Sequence, residues 1–418
     1  MRTKFLLWFL FFLITIIGYS QNTTQEKVAD SIKKESPFNT GVYPLWIFDL
    51  ELRSVVKYND HEGFRLGIGG ITNDKLFEKV KFGGYFAYGL RDHESKYSIG
   101  GSVRLNEPNK LWLDLYYTDD IREFGDFTIL TDKLVFSLIE PRLLNITQFY
   151  RHTSWRTSLN YQFNTKLIAE VQLAKRKISQ IINYQFENDG IIYDKYTLSE
   201  ATFSIRYGIN EKKDISEAIK NEYYSGISSI SLQATQGFKN VFGSDFSYTK
   251  FGLKANYYIK RKKLSATNIL VMGSIAIGDV PLTNLFHASP NSPTKDAVLQ
   301  RFSVSGRNSF ETMYFGEFFS DKYTALHIKH SLFRMNISEK MQPETVLFTR
   351  HVIGDLANKQ KHLGVNFNTL DQVYSESGIE INKILFGFGL SFAYRYGYYH
   401  LSNFDENISF KFTFYAKF

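Results

Sequence analysis

From Asn407 to Phe418 the residues alternate in character. Ile408, Phe410, Phe412, Phe414, Ala416 and Phe418 fall on one side, and Asn407, Ser409, Lys411, Thr413, Tyr415 and Lys417 on the other. Successive side chains of a strand point to opposite faces, so this period of two predicts a strand apolar on one face only. The preceding segment sets Ile384, Phe386, Phe388, Leu390, Phe392, Tyr394 and Tyr396 against Leu385, Gly387, Gly389, Ser391, Ala393 and Arg395. Trp155, Thr157, Leu159, Tyr161 and Phe163 alternate with Arg156, Ser158, Asn160 and Gln162, and Ala201, Phe203, Ile205, Tyr207 and Ile209 with Glu200, Thr202, Ser204, Arg206 and Gly208. These segments run to about 10–13 residues, where a soluble strand usually stops near ~5–6 and a tilted membrane strand needs ~9–11.

The same pattern predicts strands near 49–58, 62–71, 78–90, 95–105, 110–118, 152–164, 166–177, 199–210, 227–237, 246–259, 264–277, 308–319, 322–334, 374–382, 384–396 and 407–418. Thr345 to Val352 is either a further strand or the upper part of a neighbour. Links after odd-numbered strands include the long ones at 119–151, 178–198, 278–307 and 335–373, whereas those after even-numbered strands, such as Arg261 to Lys263, Asp321 and Lys383, are mostly tight. Long loops on one side and short turns on the other, with an even strand number, are what an outer-membrane barrel requires. The charged link 211–226 is the exception. A β-sandwich would have shorter strands and a polar outer face, and a propeller would show a blade repeat, which is not present. The fold class expected is all-β, a transmembrane antiparallel β-barrel of about 16 strands.

Composition narrows this further. With 418 residues, 43% apolar and 22% charged, the chain is too polar for a helical membrane bundle and too apolar for disorder. Aromatics make up 17%, with 38 Phe and 27 Tyr, which favours strands and surfaces that meet lipid headgroups. The absence of Cys removes disulfides, thiol catalysis and a lipoprotein anchor. A net charge of +8 with no basic block gives no reason to expect nucleic-acid binding. Arg2 and Lys4, an apolar run from Phe5 to Ile17, and the small residues Gly18 and Ser20 read as a secretory signal over 1–20, cleaved near Ser20/Gln21. A retained anchor is the alternative. Residues 21–47 are expected to be a short periplasmic segment and 48–418 the barrel, placed in the outer membrane of a Gram-negative cell.

Several stretches resemble a Bacteroidota outer-membrane family in which a carboxypeptidase-regulatory-like sandwich precedes a barrel akin to the bacterial surface antigen (D15) domain of the Omp85 superfamily. They are Glu62-Gly-Phe-Arg-Leu-Gly-Ile-Gly69, with Gly63 and Gly67; Gly243-Ser-Asp-Phe-Ser-Tyr-Thr-Lys250, with Asp245 and Tyr248; Gly278-Asp-Val-Pro281; Ser309 to Tyr323, with Glu317, Phe318, Asp321 and Lys322; and Glu376 to Asn382. The resemblance implies a barrel of about 16 strands linked to moving or inserting protein or lipid, and no catalytic residue or cofactor. Residues 21–47 are too few for the preceding sandwich or for periplasmic receptor domains, so a bare barrel is expected. The Arg-Gly pair of the family's inward-folded loop is reversed here as Ser305-Gly306-Arg307, and its role is not carried over to Arg307.

Six basic residues fall on predicted inward faces: Arg65, Arg104, Arg156, Arg206, Lys254 and Arg395; Glu51, Asp114 and Glu170 lie on comparable faces. Arg or Lys facing lipid near the midplane costs ~2–4 kcal/mol, so these should line the interior, either as an open pore or as a salt-bridged plug of side chains. Glycines 67, 69, 83, 84, 100, 101, 387 and 389 either relieve crowding where the sheet curves or leave room for an inward loop. The last strand, with Phe414 and terminal Phe418, resembles the signal by which barrels reach their insertion machinery, a half-apolar strand able to add to a sheet edge. His327 and His330 should face opposite sides of one strand and so not share a metal. Tyr394 to Tyr399 reads as an interfacial aromatic girdle, with carbohydrate stacking as the sharper alternative. Three functions compete: an Omp85-like translocating barrel, with the 278–307 loop packed inside; a passive solute channel; and a barrel-embedded lipid hydrolase, which needs a Ser or acidic group beside a His at the lipid boundary. Partners expected are outer-membrane lipid and the insertion machinery.

Overall fold

The computed structural model describes residues 41–106, 111–132, 141–209, 228–261, 265–293, 303–306, 308–338 and 341–414. Alternation produces strands throughout. Wall strand β1 is broken, comprising Phe48–Glu51 and Val56–Asn59 around a 3-10 turn at Leu52–Ser54. It is followed by β2 (Gly63–Thr72), β3 (Val80–Gly89), β4 (Ser95–Asn106), β5 (Leu111–Glu123), β6 (Phe149–Gln162), β7 (Leu167–Gln180) and β8 (Lys195–Gly208). The second half holds β9 (Ser229–Gly237), β10 (Tyr248–Arg261), β11 (Ser265–Gly278), β12 (Lys322–Arg334), β13 (Glu344–Asp355), β14 (Tyr374–Leu385), β15 (Phe388–Gly397) and β16 (Ile408–Phe414). Each is antiparallel to the next in chain order, from Phe48↔Thr72 at the start to Phe388↔Phe414 at the end. The main sheet has 19 strand segments, because β1 counts as two and Val42–Leu45 and Ser303–Val304 add short pieces. Val42–Leu45 pairs with Phe48–Glu51, so the sheet starts before position 48.

Two expectations on the wall need correction. The segment 308–319 is not a wall strand: Phe310–Tyr314 pairs in parallel with Pro290–Ser292 away from the main sheet and is buried on both faces. A lipid-facing strand leaves one face exposed, and the turn at Gly316 (φ 78) ends this one early. Its place is taken by β13, the segment left open at 345–352. That strand is hard to see in the sequence because its inward side carries Val346, Phe348 and Val352 as well as Arg350, which blurs the alternation. The last hairpin turns at Phe386-Gly387 (φ 50 and 82) rather than at Lys383, so Ile384 belongs to β14. With these changes 279–321 becomes one long connection between β11 and β12, and 356–373 another between β13 and β14. The link 211–226 lies outside the described residues.

The sheet is inside out by the standards of a soluble protein. Phe64, Leu66 and Ile68 of β2, Ile99 and Leu105 of β4, Leu113 and Leu115 of β5, and Phe410 and Phe412 of β16 are exposed, while Arg65, Lys96, Arg206, Arg350, Arg395 and Lys411 are buried. Exposed apolar area on this scale is a surface for lipid. Five strands of 14 residues each, β6, β7, β8, β10 and β11, are long enough to cross at a tilt. No helix among the described residues is long and apolar enough to cross a membrane.

At the start of the sheet the glycines have a specific neighbour. The 3-10 turn of β1 lies against β2, with Gly67 N–H donating to Val55 O at 3.0 Å. A Cβ on Gly67 would meet Ser54 O at 2.7 Å and Phe86 O at 2.6 Å, and one on Gly69 would meet Ser54 Oγ at 2.9 Å. These two residues are small because the break in β1 folds onto them.

Candidate functional site

The connection 279–321 packs on the buried face of the sheet. Its first part buries Leu282, Leu285 and Phe286 among Phe124, Tyr150, Tyr184, Phe246 and Tyr248. Its later part buries Phe310, Met313 and Phe318 against Val352, Leu370 and Tyr374. Between these apolar anchors its polar atoms reach almost round the wall. His287 Nε2 meets Glu123 of β5 at 2.6 Å, Asn284 Nδ2 donates to Glu200 of β8 at 3.2 Å, and Lys250 of β10 donates to Asn284 O at 3.4 Å. Arg350 of β13 donates to Glu311 at 3.2 Å, Arg395 of β15 bridges Glu317 at 2.7 Å, and Lys411 of β16 donates to Asn291 O at 2.9 Å. One segment touches the inward faces of strands from β5 to β16 only if the sheet curls round it, so the expected inward packing of the 278–307 loop holds where it is described.

The densest part is a carboxylate-rich cluster on β12–β14. Glu376 accepts the backbone N–H groups of Glu311 and Thr312 at 2.9 and 3.0 Å and the Thr312 hydroxyl at 2.6 Å. Arg350, fully buried, donates to Glu376 at 2.7 Å and lies 3.6 Å from Glu380, which also takes Lys329 at 2.6 Å. Glu311 further accepts hydrogen bonds from Ser305 Oγ at 2.9 Å and Ser391 Oγ at 2.8 Å. A buried charge is tolerable only when paired in this way, and removing one partner of such a pair typically costs ~3–5 kcal/mol. The cluster therefore fixes the loop against the wall.

The six predicted inward cations all lie on this face, and four are tied to carboxylates. Arg65 makes a two-pronged contact with Asp120 at 2.7 and 2.8 Å, joined by Tyr85, and lies 3.7 Å from Glu62. Lys254 donates to Asp132 at 2.9 Å, and Arg206 lies 3.8 Å from the same carboxylate. Burial works against the charge on Asp132, but Lys254, Ser231 and Arg206 together hold its carboxyl below the usual range. Arg395 pairs with Glu317. Arg104 sits over Trp112 and Arg156 over Tyr116. Asp132 and Glu317 both come from long connections, so Arg206, Lys254 and Arg395 are neutralised by loops, whereas Arg65 pairs with Asp120 of the wall. Of the comparable acidic groups, Glu51 pairs with Arg53, Asp114 accepts from Ser158 and Glu170 from Asn160.

The resemblance residues divide between places. Glu62 bonds Lys96 at 3.1 Å and Asn59 at 2.5 Å beside the left-handed Gly63 (φ 66). Gly243 (φ 77) and Asp245, which accepts Thr197 N–H at 2.6 Å, shape the β9–β10 turn. Tyr248 donates to Glu200 at 2.6 Å and with Lys250 and Tyr323 contacts the inward loop, while Glu317 and Phe318 belong to that loop and meet Arg395 and Tyr374 of the wall. Asp321 closes the loop by accepting Ala357 N–H at 2.8 Å, and Lys322 pairs with Asp355 at 3.2 Å. Arg307 and Phe418 lie outside the described residues; Phe414 ends β16 opposite Phe388.

The two ends of the sheet form the second part of the site. Among the described residues no ladder joins β1 to β16. The inward loop instead adds a short parallel strand to β16, Ser303↔Lys411 and Val304↔Phe412, and Ser305 N–H donates to Phe412 O at 2.7 Å. A 3-10 turn at Pro141–Leu144, from the β5–β6 connection, packs against both this strand and Val56–Asn59 of β1. Asn145 Nδ2 donates to Val304 O at 3.1 Å. Sequence reasoning missed this seam, since nothing in Ser303-Val-Ser305 marks it as a strand.

A Ser–His pair of the kind a lipid hydrolase needs does occur on the outward side. His351 Nδ1 lies 2.9 Å from Ser375 Oγ, and its Nε2 lies 2.9 Å from Thr349 Oγ1. The third member is a hydroxyl, which stabilises an imidazolium far less than a carboxylate does, and Ser375 is buried. His327 is buried inward beside Phe310, while His330 bonds Thr267. Tyr398 is exposed near the rim, as a girdle residue would be, and Tyr399 donates to Asp371 at 2.7 Å.

No family model matches the chain, and no curated protein matches it. Among solved structures, BamA from Haemophilus ducreyi lacking POTRA domains 1–3 aligns with a TM-score of 0.55 at 13% identity, over 85% of this chain and 68% of that one. CdiB from Escherichia coli aligns at 0.47 and 10% identity over 88% and 62%, and CdiB from Acinetobacter baumannii at 0.44 and 12% over 85% and 57%. This chain spans about two thirds of the length of the BamA chain it matches. At these identities the likeness is one of fold, and it rests on BamA: an outer-membrane β-barrel.

Proposed function

We propose that this chain is an outer-membrane barrel of the BamA or Omp85 type that aids the insertion or translocation of protein or lipid, and that it carries out no bond-making chemistry. One observation supports the reading above others: the long inward connection both plugs the interior and contributes a strand to the last wall strand at the seam. A passive solute channel needs a continuous aqueous path, and loop side chains bonded to β5, β8, β10 and β13–β16 stand in it. An edge already able to accept a strand suits a partner that arrives extended.

In this proposal the chain enters the membrane after cleavage near Ser20/Gln21, guided to the insertion machinery by its last strand, and sits in lipid along its exposed Phe and Leu positions. Its source in the Bacteroidota and its kinship with sandwich-bearing relatives belong to the same proposal. Genetic depletion followed by an inventory of outer-membrane proteins and lipids tests it. Loss of specific barrels or a changed lipid content is the expected result. An unchanged inventory together with a steady solute conductance from the purified protein would replace it with the channel reading.

A further inference from the structure

We infer that Lys175, Lys177 and Lys195 form a site for the phosphate headgroup of an acyl lipid, on the outward face of β7 and β8 at the border toward the long connections. The inference rests on the fold alone and stands apart from the proposed insertion role.

The pattern of the two strands sets the place. On the outward side of β7, Val171 and Leu173 are exposed and apolar, and the next two outward positions are Lys175 and Lys177. On β8 the outward row runs from Phe203 through Ala201, Ser199 and Thr197 to Lys195. The strands pair Ser199↔Lys175, Thr197↔Lys177 and Lys195↔Ser179, so the three lysines share one side of one ladder. Lys177 stands ten positions along β7 from Leu167. A tilted strand of ~9–11 residues has crossed the hydrocarbon by that point. On β6, Trp155 pairs with Lys175 and is exposed; its ring lies 5.0 Å from that of Tyr117, which lies 6.0 Å from that of Tyr97. Aromatic rings gather in this way at the level of lipid headgroups. The lysines therefore meet lipid where its charge lies.

What marks them is the lack of a partner. Among the described residues, no carboxylate or other acceptor engages any of the three ammonium groups. Other cations toward the same end of the sheet are neutralised: Arg91 by Asp60, Arg151 by Asp119, Lys239 by Asp189, Lys322 by Asp355 and Lys361 by Asp279. Asp245, across β8, is taken by the Thr197 N–H at 2.6 Å. Like charges on neighbouring positions of a ladder repel, and a phosphate placed among them removes that cost. Lys177 and Lys195 are exposed and Lys175 is half-buried, so the headgroup can reach all three from the membrane surface. Long lysine stems suit this border, since they cover apolar wall while the charge stays in water. The acyl chains of the same lipid lie along Leu159, Val171, Leu173 and Phe203, all exposed.

The test uses the full chain in phosphatidylcholine vesicles, with Trp8→Phe, Trp46→Phe and Trp112→Phe so that Trp155 alone fluoresces. Phosphatidic acid or phosphatidylcholine, brominated high on its acyl chains, is added as a minor fraction. Quenching of Trp155 then gives the relative affinity of each lipid for that position. Heat-modified gel mobility checks that every variant is folded.

Phosphatidic acid should be preferred about tenfold over phosphatidylcholine, equivalent to about 1.4 kcal/mol. The preference should shrink at about 1 M salt, where the Debye length falls to ~3 Å. Lys175→Gln, Lys177→Gln and Lys195→Gln combined should bring the two lipids level. Lys166→Gln with Lys260→Gln, at the opposite border, should leave the native preference in place. Equal quenching by both lipids in the native chain, or a preference that survives the triple replacement, overturns the inference. Excess inorganic phosphate should not displace the brominated phosphatidic acid; full displacement would make the ligand a free anion and overturn the lipid assignment.

Discussion

The first strands and the last strands of the sheet handle buried charge in different ways. Around β2–β5 the ions pair within the wall and its own turns: Arg65 with Asp120, Lys96 with Glu62 and Asp92. A cavity of about 240 Å³ remains beside them, lined by Arg53, Ser54, Lys57 and Arg65. From β12 to β16 the wall's ions are completed by a loop instead, through Glu311 and Glu317. Apart from Glu123 at the end of β5, which meets His287 of the loop, one end of the sheet completes its own ion pairs and the other draws on its plug. The half of the barrel that needs the loop is also the half whose edge the loop covers.

Removing the plug should have the largest effect. Replacing 282–318 with a short Gly-Ser linker is expected to convert a chain of low conductance into a steady pore in planar-bilayer recordings. If conductance is unchanged, the loop does not block the path.

Next in size is the contrast between two arginines. Arg350→Met leaves Glu311, Glu376 and Glu380 without their shared cation and should destabilise the loop packing by about 3–5 kcal/mol. Hydrogen exchange should then rise across 303–318. Arg65→Met should cost a similar amount but raise exchange only around β1–β5. Equal exchange in the loop for both variants would erase the difference between the two ends.

The small sheet built from two of the loops offers a pH-dependent comparison. Gln185–Asn188, Ile191–Tyr193 and His362–Leu363 form a small sheet in which His362 stacks on Tyr184 and Phe186. Burial, with a smaller push from Lys361, lowers the imidazole from 6.5 to about 3. The folded small sheet favours the neutral ring, so its contribution is complete above pH 6.5 and declines as pH falls from 6.5 towards 3. The limiting slope is about 1.4 kcal/mol per pH unit. Exchange in 181–194 and 359–367, corrected for intrinsic rate, should be faster at pH 5 than at pH 7, and His362→Gln should remove the difference.

The smallest expected effect is none: Ser375→Ala should release fatty acid from phospholipid vesicles at the same background rate as the native chain. A measurable drop would make the outward Ser–His pair a site after all.

Alternation made the wall readable. A lipid-facing strand must be apolar on one side, and a side facing an aqueous or polar interior need not be, so β6, β8 and β16 announce themselves in Trp155, Phe203 and Phe410. Where that asymmetry fails, so does the reading. In β13 the inward Val346, Phe348 and Val352 meet an apolar loop, and in 308–319 an apolar run belongs to the loop itself. The total of sixteen survived this exchange only because one gain offset one loss. The inward cations were legible because charge is excluded from lipid, but their partners were not: Asp120, Asp132, Glu311 and Glu317 lie 55, 74, 39 and 78 residues from Arg65, Arg206, Arg350 and Arg395.

Local periodicity thus carried the strand type, the long-and-short loop rhythm, the greasy exterior and the direction in which the basic residues point. Each depends on residues two positions apart meeting the same solvent. Which carboxylate neutralises which cation, that the plug lies within the curl, and that Ser303–Ser305 lies along β16 come from the folded chain alone. Those contacts join positions far apart in sequence, and a two-residue ladder leaves no periodic trace.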